Sequence, residues 1–314
     1  MKKFILILFF LPLVLLGQTA LTEAENFIDN KMYTKAEGVL TKFIENNPNN
    51  LKAIELLGDS YGFTTNWDQA INYYKQLVDK QPDNANYQYK YGGALGMKAL
   101  NISKIQALGI IGDVKTAFIT AAQLDPTHIE ARWALVELYM QLPGIIGGSK
   151  SKSLHYANEL EKLSKIDGYL AKGYIYEYDK EAALAAQYYK KALAVQQALP
   201  CYNSTSGGSD VQAASINTLV SAHKRHNRNG MHYQIGKVCA DYNLELEKGI
   251  FCLKVYLKNY TAKDGVPKAW AYYRLSQIYN HQNNKKDALI WINKAITQLP
   301  NLEVFKKFKD SLEA

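Results

Sequence analysis

Three histidines lie close together in the sequence and could ligate a metal ion. His223 and His226 are spaced i, i+3, which puts both on one face of a helix, and His232 follows shortly after. The residues interleaved with them are basic: Lys224, Arg225 and Arg228. Because these positive charges repel a cation, we expect a solvated basic surface here, with an anion site as the alternative, and no metal.

A glycine-rich segment from Gly144 to Ser151 comes close to a phosphate-binding loop. In such a loop the backbone N–H groups of a Gly-rich turn hold phosphates, a Gly stands directly before the Lys, and a strand leads into it. Here Ser149 stands directly before Lys150, and a predicted helix leads into the segment. The sequence therefore predicts a turn between two helices, with no nucleotide and no other cofactor bound.

The chain contains three cysteines and none of the motifs that identify a hydrolase. Cys239 and Cys252 fall at core-facing positions of two helices, where they either act as small buried hydrophobic residues or pair as a disulfide. Cys201 lies in a polar loop. H-E-x-x-H and G-x-S-x-G are both absent from the sequence. We therefore expect a protein that is not an enzyme.

Composition and charge describe a globular protein with a large core. The chain has 314 residues, of which 47% are hydrophobic and 21% are charged, and its formal net charge is +8. This charge favours anionic surroundings, but it is spread too thinly to indicate nucleic-acid binding.

The first segment is typical of a secretory signal peptide. Lys2 and Lys3 precede the apolar stretch from Phe4 to Leu16, which is shorter than the roughly 20 residues of a membrane-spanning helix. We expect residues 1–17 to be removed after Gly17. The sequence thus predicts an exported protein, periplasmic or secreted, with no later membrane-spanning stretch.

A period of 34 residues runs through the rest of the chain and determines how these residues are positioned. The residue pairs at this spacing are Ala24 and Gly58, Phe27 and Tyr61, Ala36 and Ala70, Leu40 and Tyr74, Phe43 and Leu77, and Pro48 and Pro82. Small residues let two antiparallel helices approach, large ones fill the space between them, and proline ends the second helix. A fixed period of this length is the signature of a repeat architecture.

The repeat unit resembles the tetratricopeptide repeat, a pair of helices with a characteristic residue pattern. The second unit reproduces that pattern with Ile54, Leu57, Gly58, Tyr61, Ala70, Tyr74 and Pro82. The resemblance implies an all-α, right-handed α-solenoid of antiparallel helix pairs.

Following the pattern divides the chain into five segments. Residues 1–17 are the signal peptide, 18–200 hold units one to five, 201–228 form an irregular loop with an extra helix, 229–300 hold units six and seven, and 301–314 form a C-terminal capping helix. Units three and four carry long turns, at 96–113 and 140–151.

The resemblance also implies an inner groove lined by the first helix of each unit, and aromatic residues are frequent at those positions. The predicted partner-binding residues are Tyr89, Trp133, Glu137, Met140, Tyr174, Tyr233, Trp270, Tyr273 and Gln277. Rigid rings with a few polar groups between them are typical of peptide-binding surfaces. The alternative is that these rings pack against adjacent repeats.

These observations predict an exported adaptor that binds a peptide or an envelope protein in its concave groove. The alternative is a fixed structural subunit of an envelope assembly, which docks through its long turns or its convex surface. Neither hypothesis involves nucleic acid, nucleotide or a membrane-spanning segment.

Overall fold

The computed structural model describes residues 19–197, 229–261 and 264–314. Helices and short connections make up these residues, and no β-strand occurs among them. The predicted all-α class is therefore confirmed. The helices are α1 (19–29), α2 (Tyr33–Asn46), α3 (Leu51–Phe63), α4 (Trp67–Lys80), α5 (Ala85–Asn101), α6 (Lys104–Leu124), α7 (Ile129–Gln141), α8 (Lys150–Leu163), α9 (Lys165–Tyr178), α10 (Ala182–Gln197), α11 (Asn229–Tyr242), α12 (Leu246–Lys258), α13 (Lys268–His281), α14 (Lys285–Gln298) and α15 (Glu303–Glu313).

Some predictions fall on other parts of the chain. The signal peptide 1–17 and the irregular segment 201–228, which includes Cys201, His223 and His226, lie outside the described residues.

The helices form two compact units, one ending at Glu181 and the other beginning at Ala182. In the first unit each helix from α2 to α8 packs against the next, and α7 also contacts α5 and α9. In the second unit α11 to α15 pack in the same sequential way, and α13 also contacts α11. This pattern is that of stacked antiparallel helix pairs, so each unit is an α-solenoid.

Small residues bring the paired helices together, as the repeat pattern predicts. A Cβ atom at Gly58 would lie 2.8 Å from Cε1 of Tyr74, and a Cβ atom at Gly236 would lie 2.3 Å from Cγ of Leu253. Neither space accepts a side chain, because protein interiors are packed to crystal density. These two glycines therefore set the distance between the helices of their pairs.

Polar side chains cap the N-termini of several helices. Asn50, Asn66 and Asn84 precede α3, α4 and α5, and each side-chain oxygen accepts a hydrogen bond from a backbone N–H in the first turn. Such caps satisfy groups that the helix itself leaves unpaired. The boundaries of the repeats are thus encoded locally.

The predicted long turn in unit three is wrong. The additional residues extend the two helices instead: α5 ends at Asn101, α6 begins at Lys104, and two residues connect them. Ser103 and Gln106 form a capping box, in which Ser103 N donates to Gln106 Oε1 at 3.2 Å and Gln106 N donates to Ser103 Oγ at 3.4 Å. This cap lets α6 begin much earlier than the repeat pattern indicates.

The helix α15 packs against the last repeat of the second unit. Its Phe305 and Leu312 are buried against the last repeat, and Leu302 and Phe308 pack at the edge of the same cluster. The exposed lysines Lys306 and Lys307 lie on the other side of the helix. An amphipathic helix of this kind covers the open end of a repeat array.

Candidate functional site

Four of the predicted partner-binding residues form one patch on the first unit, which we call the inner patch: Trp133, Glu137, Met140 and Tyr174. The first three recur at i, i+4 and i+7 on α7, so they lie on one face of that helix, and Tyr174 lies on the adjacent helix α9. Trp133, Met140 and Tyr174 pack on one core cluster, yet each keeps part of its surface exposed. The side chains of the inner patch therefore pack against the core on one side and are accessible to solvent on the other.

Hydrogen bonds fix the rings of the inner patch. Trp133 Nε1 donates to Oδ1 of Asp167 at 2.7 Å, and Gln141 Nε2 donates to the hydroxyl of Tyr174 at 3.3 Å. Both bonds join α7 to α9. Rings that are held before binding lose little conformational entropy when a partner arrives, which favours affinity.

Glu137 supplies the acidic group of the inner patch. Its side chain reaches solvent, but the protein around it excludes part of the bulk water, and this desolvation raises the pKa of its carboxyl above the ordinary value. The pKa of Tyr174 is also raised, first by its burial and additionally by the charge of Glu137. A carboxyl in this position can accept hydrogen bonds from a partner or pair with a cationic group.

A cavity of about 790 Å³ opens beside the inner patch, between α5, α6, α7 and the turn 142–146. Glu137 and Gln141 belong to both the α7 face and the lining of this cavity. Apart from Glu137, the charged residue that lines it is Lys104, and most of the lining is apolar. Its size and composition are those of ligand-binding pockets.

Tyr89, a further predicted site residue, lines this cavity from α5. Its ring centroid is 5.1 Å from that of His128 and 5.9 Å from that of Phe118. The Tyr89 side chain is half-buried, so it both packs and presents surface. The structure thus brings Tyr89 and Glu137 to one cavity on the first unit.

Five large apolar side chains that line the cavity are exposed, and we call them the apolar shelf: Met97 (42% exposed), Leu100 (71%), Ile105 (83%), Leu108 (52%) and Ile145 (96%). They are absent from the predicted site because the repeat pattern assigns 96–113 and 140–151 to turns. The Ser103–Gln106 capping box is the signal that could have located Ile105 and Leu108, since it marks a helix beginning at Lys104.

The predicted site residues of the second unit pack differently. Tyr233 and Tyr273 are buried. The Tyr233 ring centroid lies 5.4 Å from that of Tyr256, and the Tyr273 ring centroid lies 5.1 Å from that of Phe305 on the capping helix. Because a buried ring offers no surface to a partner, we leave Tyr233 and Tyr273 out of the candidate site.

Trp270 and Gln277 of the second unit are half-buried. The Trp270 ring packs edge-on against Phe305, with centroids 5.1 Å apart, and Gln277 Oε1 accepts a hydrogen bond from Arg274 at 2.8 Å. Both side chains therefore take part in the packing of the second unit.

The residues of the glycine-rich segment form caps and ion pairs within the fold. Ser149 caps α8 by accepting a hydrogen bond from Lys152 N at 3.2 Å, and Lys150 pairs with Asp179 and Glu181. Cys239 and Cys252 are buried and are not joined in a disulfide, and burial raises the pKa of Cys239 to about 12, which keeps it protonated at neutral pH. Within the described residues no group of three or more His, Cys, Asp or Glu side chains is placed to hold a metal ion.

Two segments of the chain match family models described as tetratricopeptide repeat, residues 55–95 and residues 271–300. The first includes Gly58, Tyr74 and Pro82 of the repeat pattern, and the second includes Leu275 and Ala288. The chain therefore contains tetratricopeptide repeats. No curated protein matches it.

Several solved structures are similar to this tetratricopeptide-repeat chain. A tetratricopeptide repeat protein from Parabacteroides merdae ATCC 43184 is 13% identical, with a TM-score of 0.49, over 95% of this chain and 99% of its own. The MamA protein is 20% identical, with a TM-score of 0.46, over 62% of this chain and 98% of its own. A thermophilic protein of the same repeat type from Thermus thermophilus is 16% identical, with a TM-score of 0.46, over 57% of this chain and 90% of its own.

The presence of these repeats has a direct functional consequence. Tetratricopeptide repeats bind proteins or peptides through the surfaces that their stacked helices create. The chain is accordingly a protein-interaction scaffold.

Proposed function

We propose that this scaffold is exported and that its inner patch binds a segment of a partner protein. The observation that carries the proposal is the arrangement of Trp133, Glu137, Met140 and Tyr174, which share one surface of α7 and α9 and remain accessible there. Aromatic and Met side chains around one acidic group make a surface that suits a peptide with apolar side chains and a basic or amide group.

The scaffold acts without catalysing a reaction in this proposal. The partner is a peptide or an envelope protein, held by contacts with the inner patch and with Tyr89 beside it. Nucleotide, nucleic acid and metal have no part in binding.

Site-specific photo-crosslinking in the native envelope tests the binding proposal. A photoreactive residue at position 140 of the inner patch should give a crosslinked partner, and Trp133→Ala in the same chain should abolish that product. The matched control carries the photoreactive residue at position 158, where Asn158 is exposed on α8. Equal products from both positions would contradict the proposal.

The alternative function, a fixed structural subunit, gives a different result in this experiment. Its docking segments are 96–113 and 140–151, so the Trp133→Ala chain would assemble fully and would still be crosslinked through those segments.

Export rests on the sequence pattern of Lys2, Lys3 and the apolar stretch from Phe4 to Leu16. Cell fractionation followed by N-terminal sequencing of the purified protein tests it. Export predicts a mature chain that begins at or near Gln18. An intact Met1 on a soluble cytosolic protein would disprove it.

A further inference from the structure

We propose that the apolar shelf docks the protein on the surface of an anionic phospholipid bilayer. This inference goes beyond the proposed function, because the ligand is lipid rather than protein and because the shelf and the inner patch share no residue, although Glu137 lines the same cavity.

The first argument is the exposure of the shelf. Leu100 and Ile105 flank the two-residue connection between α5 and α6, and Ile145 lies on the turn that forms the other side of the cavity. Their exposed fractions of 71%, 83% and 96% leave most of each side chain in water. A contiguous apolar surface of this kind on a folded protein marks an interaction site.

The second argument is the charge around the shelf. Within 96–116 and 141–152 the charged residues are Lys98, Lys104, Lys115, Lys150 and Lys152, against a single acidic residue, Asp113. Lys98 pairs with Asp68, and Lys150 pairs with Asp179 and Glu181. The remaining three lysines outnumber Asp113 of these segments and Glu137 of the cavity lining.

One of these lysines lies at the cavity, and a second lies beside the turn 142–147. Lys104 lines the cavity, and Lys115 Nζ lies 3.8 Å from the position that a Cβ atom of Gly147 would occupy, beside the turn that carries Ile145. Apolar side chains flanked by lysines are the composition of membrane-interface segments, in which the apolar groups enter the acyl region and the ammonium groups meet anionic headgroups. This charge pattern favours an anionic bilayer over an apolar protein partner.

The third argument is the division of α6 into two halves. Among the described residues α6 is the helix that is long and apolar enough to cross a membrane by length and composition, although the sequence predicts no such stretch here. Its C-terminal half is packed in the core through Val114, Phe118 and Ala121, whereas no residue from 104 to 113 is buried. Crossing a bilayer would pull the packed half out of the core. The helix therefore contacts the membrane surface with its N-terminal half and does not span it.

Vesicle co-sedimentation of the full-length mature protein tests the proposal. The probes are vesicles of phosphatidylcholine alone and of phosphatidylcholine with about 30% phosphatidylglycerol. We expect sedimentation with the anionic vesicles, weaker sedimentation with the neutral ones, and release by salt at roughly 0.5 M, where exposed charges are screened. The double variant Leu100→Ser/Ile105→Ser should lower the partition coefficient at least about tenfold.

Matched variants separate the apolar and the charge contributions. Leu124→Ser/Ile290→Ser removes two apolar side chains that are 40% and 44% exposed elsewhere on the surface, and it should bind like the unmodified protein. Lys104→Glu should weaken binding to the anionic vesicles only. Lys285→Glu, which reverses the charge of an exposed residue on α14, should leave binding to both kinds of vesicle unchanged. Circular dichroism confirms that each variant is folded.

Three results would overturn the inference. The unmodified protein could fail to sediment with anionic vesicles, or the Leu100→Ser/Ile105→Ser variant could bind as the control does. The same variant could also convert a dimer to a monomer in the absence of vesicles, which would assign the shelf to a second copy of the chain. Trp133→Ala should leave vesicle binding unchanged, so failure of this inference is distinguishable from failure of the proposed function.

Discussion

Lys90 connects three helices of the first unit through its ammonium group. From α5 its Nζ lies 2.6 Å from Glu55 Oε1 and 2.7 Å from Asp59 Oδ1, both on α3. Asp59 also accepts a hydrogen bond from the Tyr74 hydroxyl of α4 at 2.6 Å. Burial alone lowers the pKa of Lys90, but the two carboxylates outweigh it and raise the pKa above the ordinary value. The group is therefore charged and holds two repeats together.

Replacing Lys90 by Met should lower the free energy of unfolding by about 1–3 kcal/mol, because two poorly solvated carboxylates then face each other without a cation. Urea unfolding followed by circular dichroism measures the effect. Lys75→Met is the control, since Lys75 pairs with Asp79 at 2.8 Å on an exposed helix face, and such a pair contributes about 0–1 kcal/mol. Equal losses in the two variants would show that the Lys90 network adds nothing beyond a surface ion pair.

Part of the candidate site could be predicted from the spacing of single residues in the sequence. Helical spacing correctly puts Trp133, Glu137 and Met140 on one face of α7, because a regular helix fixes that geometry locally. Spacing gives no information on Tyr273, which has the same repeat position as Trp133 but is covered by Phe305 of the capping helix. Burial of an inner position depends on the helices that come after it in the chain, and one repeat does not encode them.

At the scale of the elements, α15 covers a hydrophobic core cluster of the second unit. Phe305 is fully buried, and its ring centroid lies 5.1 Å from those of both Trp270 and Tyr273. Phe305→Ala should destabilise the protein by about 3–5 kcal/mol, through lost burial and the cavity that remains. A lower urea midpoint would measure this.

Val304 is the matched control for the Phe305 prediction, because it lies next to Phe305 on α15 but is exposed. Val304→Ala should change the free energy of unfolding by less than about 0.5 kcal/mol. If the two variants unfold at the same urea concentration, α15 does not cover the second unit as a cap.

The α5–α6 pair shows where prediction from a repeat pattern fails. Residues such as Gly92 and Phe118 are correctly aligned with the repeat, because each packs against the other helix of the pair. The pattern contains no information on how far the helices extend beyond these contacts. Additional residues between them are therefore predicted as a longer turn. The capping box at Ser103 shows that the additional residues extend the helices, since it begins a new helix two residues after the previous one ends.

At the scale of the whole molecule, stability is distributed over separate cores. Four core clusters, built around Leu40, Ile54, Leu135 and Val136, lie entirely within the first unit. The cluster of Tyr273, Ile292 and Phe305 lies entirely within the second. In a repeat array each repeat adds its own stability and that of the interfaces with its neighbours. We therefore expect the first unit to fold by itself.

A fragment of residues 19–181 should fold by itself, with helical circular dichroism and one cooperative thermal transition. A shorter fragment, 19–141, ends after α7 and lacks α8, so Ile129 and Val136 lose the packing of Ala157 and Leu160. It should melt at a lower temperature than 19–181, because an apolar face of α7 is left in water. If 19–181 has no cooperative transition while the full chain does, the cores of the first unit are insufficient. The two units would then have to be treated as one folding unit.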